Sequence, residues 1–297
     1  MIDFSYRKYI ILKIGVDKMK IKLLSALMIS TLLLAACQDN TETEMNNNNN
    51  DHSDTSEVQA DEQTETTENL EDENENEEEN EEIAYQYKIN PDTHAIIPID
   101  PESDTEEKVV LLTFDDAPDG YTLQIADALE ERGVSAIFFV NGMYMENEEG
   151  FEVIKDLHER GFEIGNHTHT HMTLPDYPEE EQRGEIEKTN DIVEDATGEA
   201  PRFFRAPHGM MTDYTRDLIP EIGMAWMNWS FGYDWESEYR DPAALTEITL
   251  TTFLLSNGAN ILMHDREWTA EAVPGIVDGL IEQGYTIVDP KLISHEQ

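Results

Sequence analysis

The chain has 297 residues, with 65 Asp+Glu against 19 Lys+Arg and a formal net charge of −46. That balance argues against a nucleic-acid binder, because phosphate recognition needs a basic face, and against electrostatic docking onto anionic lipid. With a mean hydropathy of −0.56, it predicts that part of the chain is disordered.

The first segment is read as an address. Lys18, Lys20 and Lys22 precede an apolar run from Leu23 to Leu34, too short for a spanning helix and suited to a signal h-region. Met19 is a plausible true start. The run closes with Leu34-Ala35-Ala36-Cys37, which resembles a bacterial lipobox. The resemblance implies a diacylated Cys37 as the first mature residue and a chain held on the outer face of the cell membrane. The bland alternative is an ordinary cleaved signal with a chance cysteine. Cys37 is the only cysteine, so there is no intrachain disulfide, thiol nucleophile or Cys-ligated metal.

Residues 38–82 are low in complexity, with an Asn run (Asn46 to Asn50) and then Ser, Thr, Glu and Asn. From Gln38 to Asp104 there are about 23 acids and one base, a net of about −22. Such a stretch cannot bury enough surface to offset ordering entropy, and it is expected to be a disordered, self-repelling tether. A specific acidic interaction motif is the alternative. Residues 83–104 have strand character on either side of Asn90-Pro91-Asp92 and predict an arm or hairpin packed on the domain.

Residues 105–297 carry the apolar runs and nearly all the aromatics. Strands are expected at Val109–Phe114, Ala136–Val140, Phe162–Gly165, Arg202–Arg205, Met224–Trp229, Ala259–Met263 and Tyr285–Val288. Helices are expected at Thr122–Arg132, Gly150–Arg160, Pro178–Ala196 with Pro at its first position, Asp213–Ile222, Pro242–Ser256 and Thr269–Gln283. This repeated βα pattern of about seven parallel strands implies an α/β barrel or a doubly wound sheet. No G-x-G-x-x-G follows the first strand, so a dinucleotide site lacks its main support.

Ionisable residues collect at the predicted strand ends, where barrels keep their chemistry. Asp115 and Asp116 follow the first strand. His167, His169 and His171 follow the third. Arg205 follows the fourth, Asp234-Trp235 the fifth, and His264 the next. In an extended segment Asp115 and Asp116 point to opposite sides, so one can bind metal while the other acts as a base; two solvated carboxylates in a turn is the bland reading. His167 and His171 share a face on one helical turn and can ligate Zn²⁺, though His167 with His169 on a strand, or all three, remain open. Arg205 could pair with Asp115.

In this order the set resembles the polysaccharide deacetylase family, also called the NodB-homology or carbohydrate esterase 4 group. The resemblance runs from about Lys108 to Leu292. It is carried by Thr113-Phe114-Asp115-Asp116-Ala117-Pro118, His167-Thr168-His169-Thr170-His171, Arg205-Ala206-Pro207-His208-Gly209, Asp234-Trp235 and Leu262-Met263-His264. It implies a distorted (β/α) barrel that removes acetyl groups from a polysaccharide. Asp116, His167 and His171 would hold a divalent metal, Zn²⁺ first, with Co²⁺, Ni²⁺, Mn²⁺ or Fe²⁺ as alternatives. Asp115 would be the base, held charged by Arg205, and His264 the acid, tuned by Asp234. A backbone N–H near Tyr121 would face the oxyanion. Trp235 and Leu262 would wall the acetyl pocket, with Pro207 and His208 among the substrate contacts. The partner implied is an acetylated glycan, peptidoglycan or poly-N-acetylglucosamine, handled by a monomer whose only membrane contact is its lipid anchor.

Three departures stand out. Ala117 replaces a glycine of the family pattern, and His208 stands where an aromatic is common. The stretch before Asp234 lacks a further Asp and is about one residue short. A glycan-binding member without turnover, and a hydrolase of small N-acyl substrates, are the competing classes.

Overall fold

The computed structural model describes residues 84–296. The signal segment, Cys37 and the tether expected over residues 38–82 lie outside the described residues. The described chain opens with a hairpin. Strands β1 (Tyr87–Ile89) and β2 (Ile96–Pro98) pair antiparallel, Tyr87 opposite Pro98. The Asn90 side chain makes the turn, accepting the N–H groups of Asp92 and Thr93 at 3.0 Å. Tyr87, Ile89 and Ile96 are buried, and Ile96 N–H donates to Gly258 O, so the hairpin is sewn to the domain. Gly258 has φ +78°, and a Cβ there would stand 2.3 Å from Ile96 O. Only glycine fits that approach.

The main sheet is built from β3 (Val109–Ala117), β4 (Ile137–Val140), β5 (Glu163–Asn166), β6 (Phe203–Phe204), β7 (Ala225–Trp226), β8 (Phe231–Gly232), β9 (Ala259–His264) and β10 (Thr286–Ile287). Their order is β7-β6-β5-β4-β3-β9-β8, with β10 beside the start of β3, and every pairing is parallel. The sheet curls with β7 and β8 at its edges, an open and distorted barrel.

Buried parallel strands are apolar on both faces, and β3 shows why. Val110, Leu112 and Phe114 join one apolar cluster, with the outer helices, while Val109 and Leu111 join a second with Ile137, Phe139 and Phe203. That is the period of two expected of a strand. The helices are α1 (Thr122–Glu130), α2 (Glu148–Glu159), α3 (Glu179–Thr197), α4 (Asp213–Glu221), α5 (Pro242–Thr251) and α6 (Glu267–Glu282). Helix α6 buries Val273, Ile276, Val277 and Leu280, a single helical face.

Three boundaries differ from expectation for identifiable reasons. The stretch Met224–Trp229 is not one strand. It leaves the sheet after Trp226, and Phe231–Gly232 returns as a separate strand on β9. In between, the carbonyls of Met227 and Asn228 accept from the buried Arg205 guanidinium, which must find acceptors wherever it is desolvated. Helix α5 ends at Thr251 because Thr252 is extended (ψ 142°), its hydroxyl 2.6 Å from that of Tyr233. Pro178 is the N-cap of α3 and not its first helical residue, while Gly198 at φ +81° closes the helix as expected.

Candidate active site

The carboxyl ends of β3, β5, β6, β8 and β9 deliver the charged residues to one cleft of about 570 Å³. Asp115 is the second-last ionisable position of β3 and is almost fully buried. Its Oδ1 accepts from Arg205 Nη1 at 2.7 Å, and its Oδ2 lies 3.6 Å from His167 Nε2. Arg205 is fully buried behind the cleft. It also donates to Thr113 Oγ1 (2.8 Å), Asn228 O (3.1 Å) and Asn260 Oδ1 (3.2 Å), and lies 4.3 Å from the centre of the Phe139 ring. Burial pulls the guanidinium below its ordinary pKa and Asp115 pulls it back.

Asp115 and Asp116 do not point to opposite sides. Asp116 sits at φ 65°, where the register of β3 against β4 shifts, and that twist turns its carboxylate into the same cleft. Asp116 Oδ1 lies 3.4 Å from His171 Nε2 and 3.8 Å from His167 Nε2. Its Oδ2 accepts from Arg266 Nη2 at 2.7 Å. Burial would raise its pKa, but His167, His264, His171 and Arg266 outweigh it and hold the carboxyl below the usual value.

Nor do His167 and His171 ride on a helical turn. The segment after β5 is irregular, with Thr168 at φ 67° and His171 at φ 58°, and these two left-handed residues bring both rings to Asp116. His169 turns away: its Nε2 lies 3.1 Å from Glu146 Oε1 and 2.7 Å from Lys188 Nζ. Among the described residues five non-glycine positions have positive φ, and four of them (Asp116, Thr168, His171, His208) are at this site or between its residues. Strain concentrated in this way marks a functional constraint. Ala117 keeps a negative φ with its methyl fully buried; the left-handed position falls one residue earlier.

The ligand atoms of Asp116, His167 and His171 lie within 4.8 Å of one another. This donor set fits a divalent metal. His167 Nδ1 lies 2.7 Å from Arg205 O, which assigns its proton to Nδ1 and leaves Nε2 a lone pair toward Asp116. Burial, then His167, pushes the His171 pKa down to about 4, so that ring is neutral. Two imidazole nitrogens and one carboxylate oxygen suit Zn²⁺ and its borderline relatives.

Across the cleft His264 Nδ1 is 2.8 Å from Asp234 Oδ1, and His264 N–H donates to Asp234 Oδ2 at 2.6 Å. Asp234 is buried and also accepts from Thr269 Oγ1, while its carbonyl takes the Trp268 indole N–H. Burial would lower the His264 pKa, but the hydrogen bond and charge of Asp234, with Asp115 and Asp116, raise it instead. Trp235 is half exposed, its ring edge-on to His264 at 5.5 Å, and Leu262 and His208 also line the cleft. The His208 ring is 4.9 Å from that of His171. Pro207 is buried and does not line the cleft, contrary to its expected place among the substrate contacts.

Sequence reasoning missed Asp265, Arg266 and Arg240. Asp265 is buried and accepts from the N–H groups of Asp119 and Tyr121 and from Thr122 Oγ1. The Tyr121 N–H is thus engaged at 2.7 Å, so the oxyanion donor expected near Tyr121 or its neighbours is not that N–H itself. The signal for Asp265 and Arg266 was present, because both directly follow His264 at a strand end.

The family model for polysaccharide deacetylases matches residues 102–227. A peptidoglycan-N-acetylglucosamine deacetylase of Bacillus cereus is 36% identical over 161 residues, covering 52% of this chain and 55% of that protein. The solved peptidoglycan deacetylase PdaC of Bacillus subtilis is 31% identical, covers 63% of this chain and 89% of that chain, and superimposes with a TM-score of 0.56. The chain belongs to the polysaccharide deacetylase family. A family 4 pseudoenzyme from Bacillus anthracis also superimposes, with 29% identity, 61% of this chain and 63% of that chain covered, and a TM-score of 0.56. The chain spans 30% and 55% of the length of the first two curated relatives it matches.

Proposed function

We propose that this chain is a metal-dependent hydrolase that removes N-acetyl groups from a cell-wall or extracellular polysaccharide, peptidoglycan N-acetylglucosamine or N-acetylmuramic acid first among them. One observation carries this reading: the Asp116/His167/His171 cluster shares a cleft with the Asp115–Arg205 and Asp234–His264 pairs. The Bacillus relatives are named as peptidoglycan deacetylases, which supports the choice of glycan.

Asp116, His167 and His171 would hold the ion, Zn²⁺ or one of Co²⁺, Ni²⁺, Mn²⁺ and Fe²⁺. When bound, it supplies Lewis acidity to the acetyl carbonyl and to a water. Asp115 takes the proton of that water, and Arg205, donating to it at 2.7 Å, holds its carboxylate aimed into the cleft. His264 gives its proton to the leaving amine nitrogen; the carboxylate of Asp234 raises its pKa and so favours the protonated ring. Trp235 and Leu262 wall the acetyl methyl. Within the turn Pro207–Gly209, the N–H groups of Gly209 and Met210 donate to Ala206 and Pro207. The His208 N–H is the donor left there for the developing oxyanion.

The lipobox-like end at Cys37 supports lipid anchoring on the outer face of the membrane, with residues 38–82 as the tether. The test is acetate release by the purified chain from peptidoglycan and from N-acetylglucosamine oligomers. It is run as isolated, after chelation, and after Zn²⁺ is restored, with Asp115→Ala as control. Metal-dependent release lost in the variant is expected. A folded, metal-loaded chain that frees no acetate from any glycan would overturn the reading.

A further inference from the structure

Among the described residues, Arg132, Arg160, Arg183, Arg202, Arg205, Arg216 and Arg266 each pair with a carboxylate. Arg240 is the exception, and it lines the cleft. In a chain with 65 acids and 19 bases carboxylates are abundant; among the described residues Lys88, Lys108, Lys155 and Lys291 also lack one, but none of them lines the cleft. Glu236, Glu238 and Asp241 flank it in sequence, yet none forms an ion pair with it among the described residues. Asp241 is engaged in capping α5, accepting the Ala244 N–H at 3.0 Å.

The Arg240 side chain is nonetheless held in place. Its Nη2 donates to the Trp235 carbonyl at 2.9 Å, and its guanidinium carbon lies 5.7 Å from the centre of the Trp268 ring. Both tryptophans line the same cleft. One of five N–H donors is used in this way, which leaves the others for a ligand. Deeper in the cleft the charges match in pairs: Asp115 with Arg205, Asp116 with Arg266, Asp234 with His264. Arg240 is therefore the uncompensated charge of the protein side. A planar guanidinium matches a carboxylate through two parallel N–H···O bonds, a geometry that neutral sugar hydroxyls do not reproduce.

We infer that Arg240 is a carboxylate-binding residue and that the glycan taken by this cleft is acidic, carrying a carboxylate on or beside the sugar that presents its acetamido group. The inference rests on the deacetylase reading above and narrows it. Oligomers of N-acetylglucosamine alone lack that group; an amino sugar bearing a lactyl ether has it. Arg240 touches no reacting atom in this scheme and sets specificity.

The test uses the full chain loaded with metal and two probes. One is peptidoglycan glycan strands freed of stem peptide, with their lactyl carboxylates intact. The other is the same strands with those carboxylates amidated. Kd is measured by calorimetry and KM by acetate release. The wild-type chain is expected to bind the intact strands about tenfold more tightly than the amidated ones, the span of one charge-assisted contact. The gap should shrink as salt rises. Arg240→Gln should close the gap by weakening the intact strands, and Arg240→Lys should keep part of it. Equal wild-type affinity for both strands, or an unchanged gap in Arg240→Gln, overturns the inference. Binding and turnover separate the two readings. A gap in Kd without acetate release keeps the carboxylate assignment and removes the deacetylase. Acetate release without a gap does the reverse.

Discussion

Arg205 donates to Asp115 at 2.7 Å with both side chains almost wholly removed from solvent, 0% and 3% exposed. Four further acceptors around the guanidinium, on Thr113, Met227, Asn228 and Asn260, complete its shell. A buried pair of this kind is costly to break because the survivor keeps its desolvation penalty. Arg205→Met is expected to destabilise the fold by about 3–5 kcal/mol in urea unfolding. The double variant Asp115→Asn with Arg205→Met should recover part of that loss. A single variant as stable as the wild type would remove the pair from its structural role.

The pH profile tests the opposite wall of the cleft. Asp234 raises the pKa of His264 against the pull of burial. In Asp234→Asn the carboxylate is gone while burial remains, so the His264 pKa falls. If His264 acts as the proton donor, the alkaline limb of kcat/KM moves to lower pH in the variant. The stability sign follows from the same shift. A raised folded pKa gives stabilisation that is complete below the unfolded value near 6.5 and is lost as pH rises through the folded value. The stability gap between wild type and Asp234→Asn should therefore be widest at acid pH. Ring NMR of His264 and a pH series of thermal unfolding check both statements.

Much of the fold could be read from the sequence because its strands are short apolar runs between glycine-terminated helices, as in β3 and in α3 with Gly198. The chain order of charged residues at strand ends placed Asp115, Asp116, His167, His171, Arg205, Asp234 and His264 in one site. What could not be read was local backbone. A period-two strand sends Asp115 and Asp116 apart, and an i, i+4 pair suggests a helix. The protein instead uses left-handed residues at Asp116, Thr168 and His171, conformations with no strong sequence signature outside glycine. The break after Trp226 was equally hidden, since it is set by the needs of Arg205, a residue just past the end of β6.

Metal binding tests the cluster without reference to turnover. The wild-type chain is expected to bind about one divalent ion, read by calorimetry after chelation and dialysis, with two nitrogens and one oxygen from protein. His171→Ala removes a ligand and should weaken that binding by more than about 100-fold, beyond what loss of a supporting hydrogen bond does. Arg266→Gln removes the donor behind Asp116 Oδ2 and should cost about 10- to 100-fold. Unaltered affinity in His171→Ala would place the ion elsewhere.

Asp265 offers the last test, because one carboxylate orders the whole turn between β3 and α1. It is buried and receives the N–H groups of Asp119 and Tyr121 and the hydroxyl of Thr122. The neighbouring Arg266 bridges Asp119 and Asp116, so the turn and the metal cluster share a support. Asp265→Ala strands three donors at once, each worth about 1–3 kcal/mol when left unpaired. The chain can let water into this partly exposed turn, so the expected loss is about 3 kcal/mol and not the full sum. Hydrogen exchange locates the effect. Protection of the Asp119 and Tyr121 amides should fall sharply, while that of Phe138 in β4 keeps pace only with global stability. Asp265→Asn, which retains one acceptor oxygen, should fall between the two. Equal protection of Tyr121 in wild type and Asp265→Ala would mean that the turn is held by its own backbone, and that Arg266 alone couples it to the metal cluster.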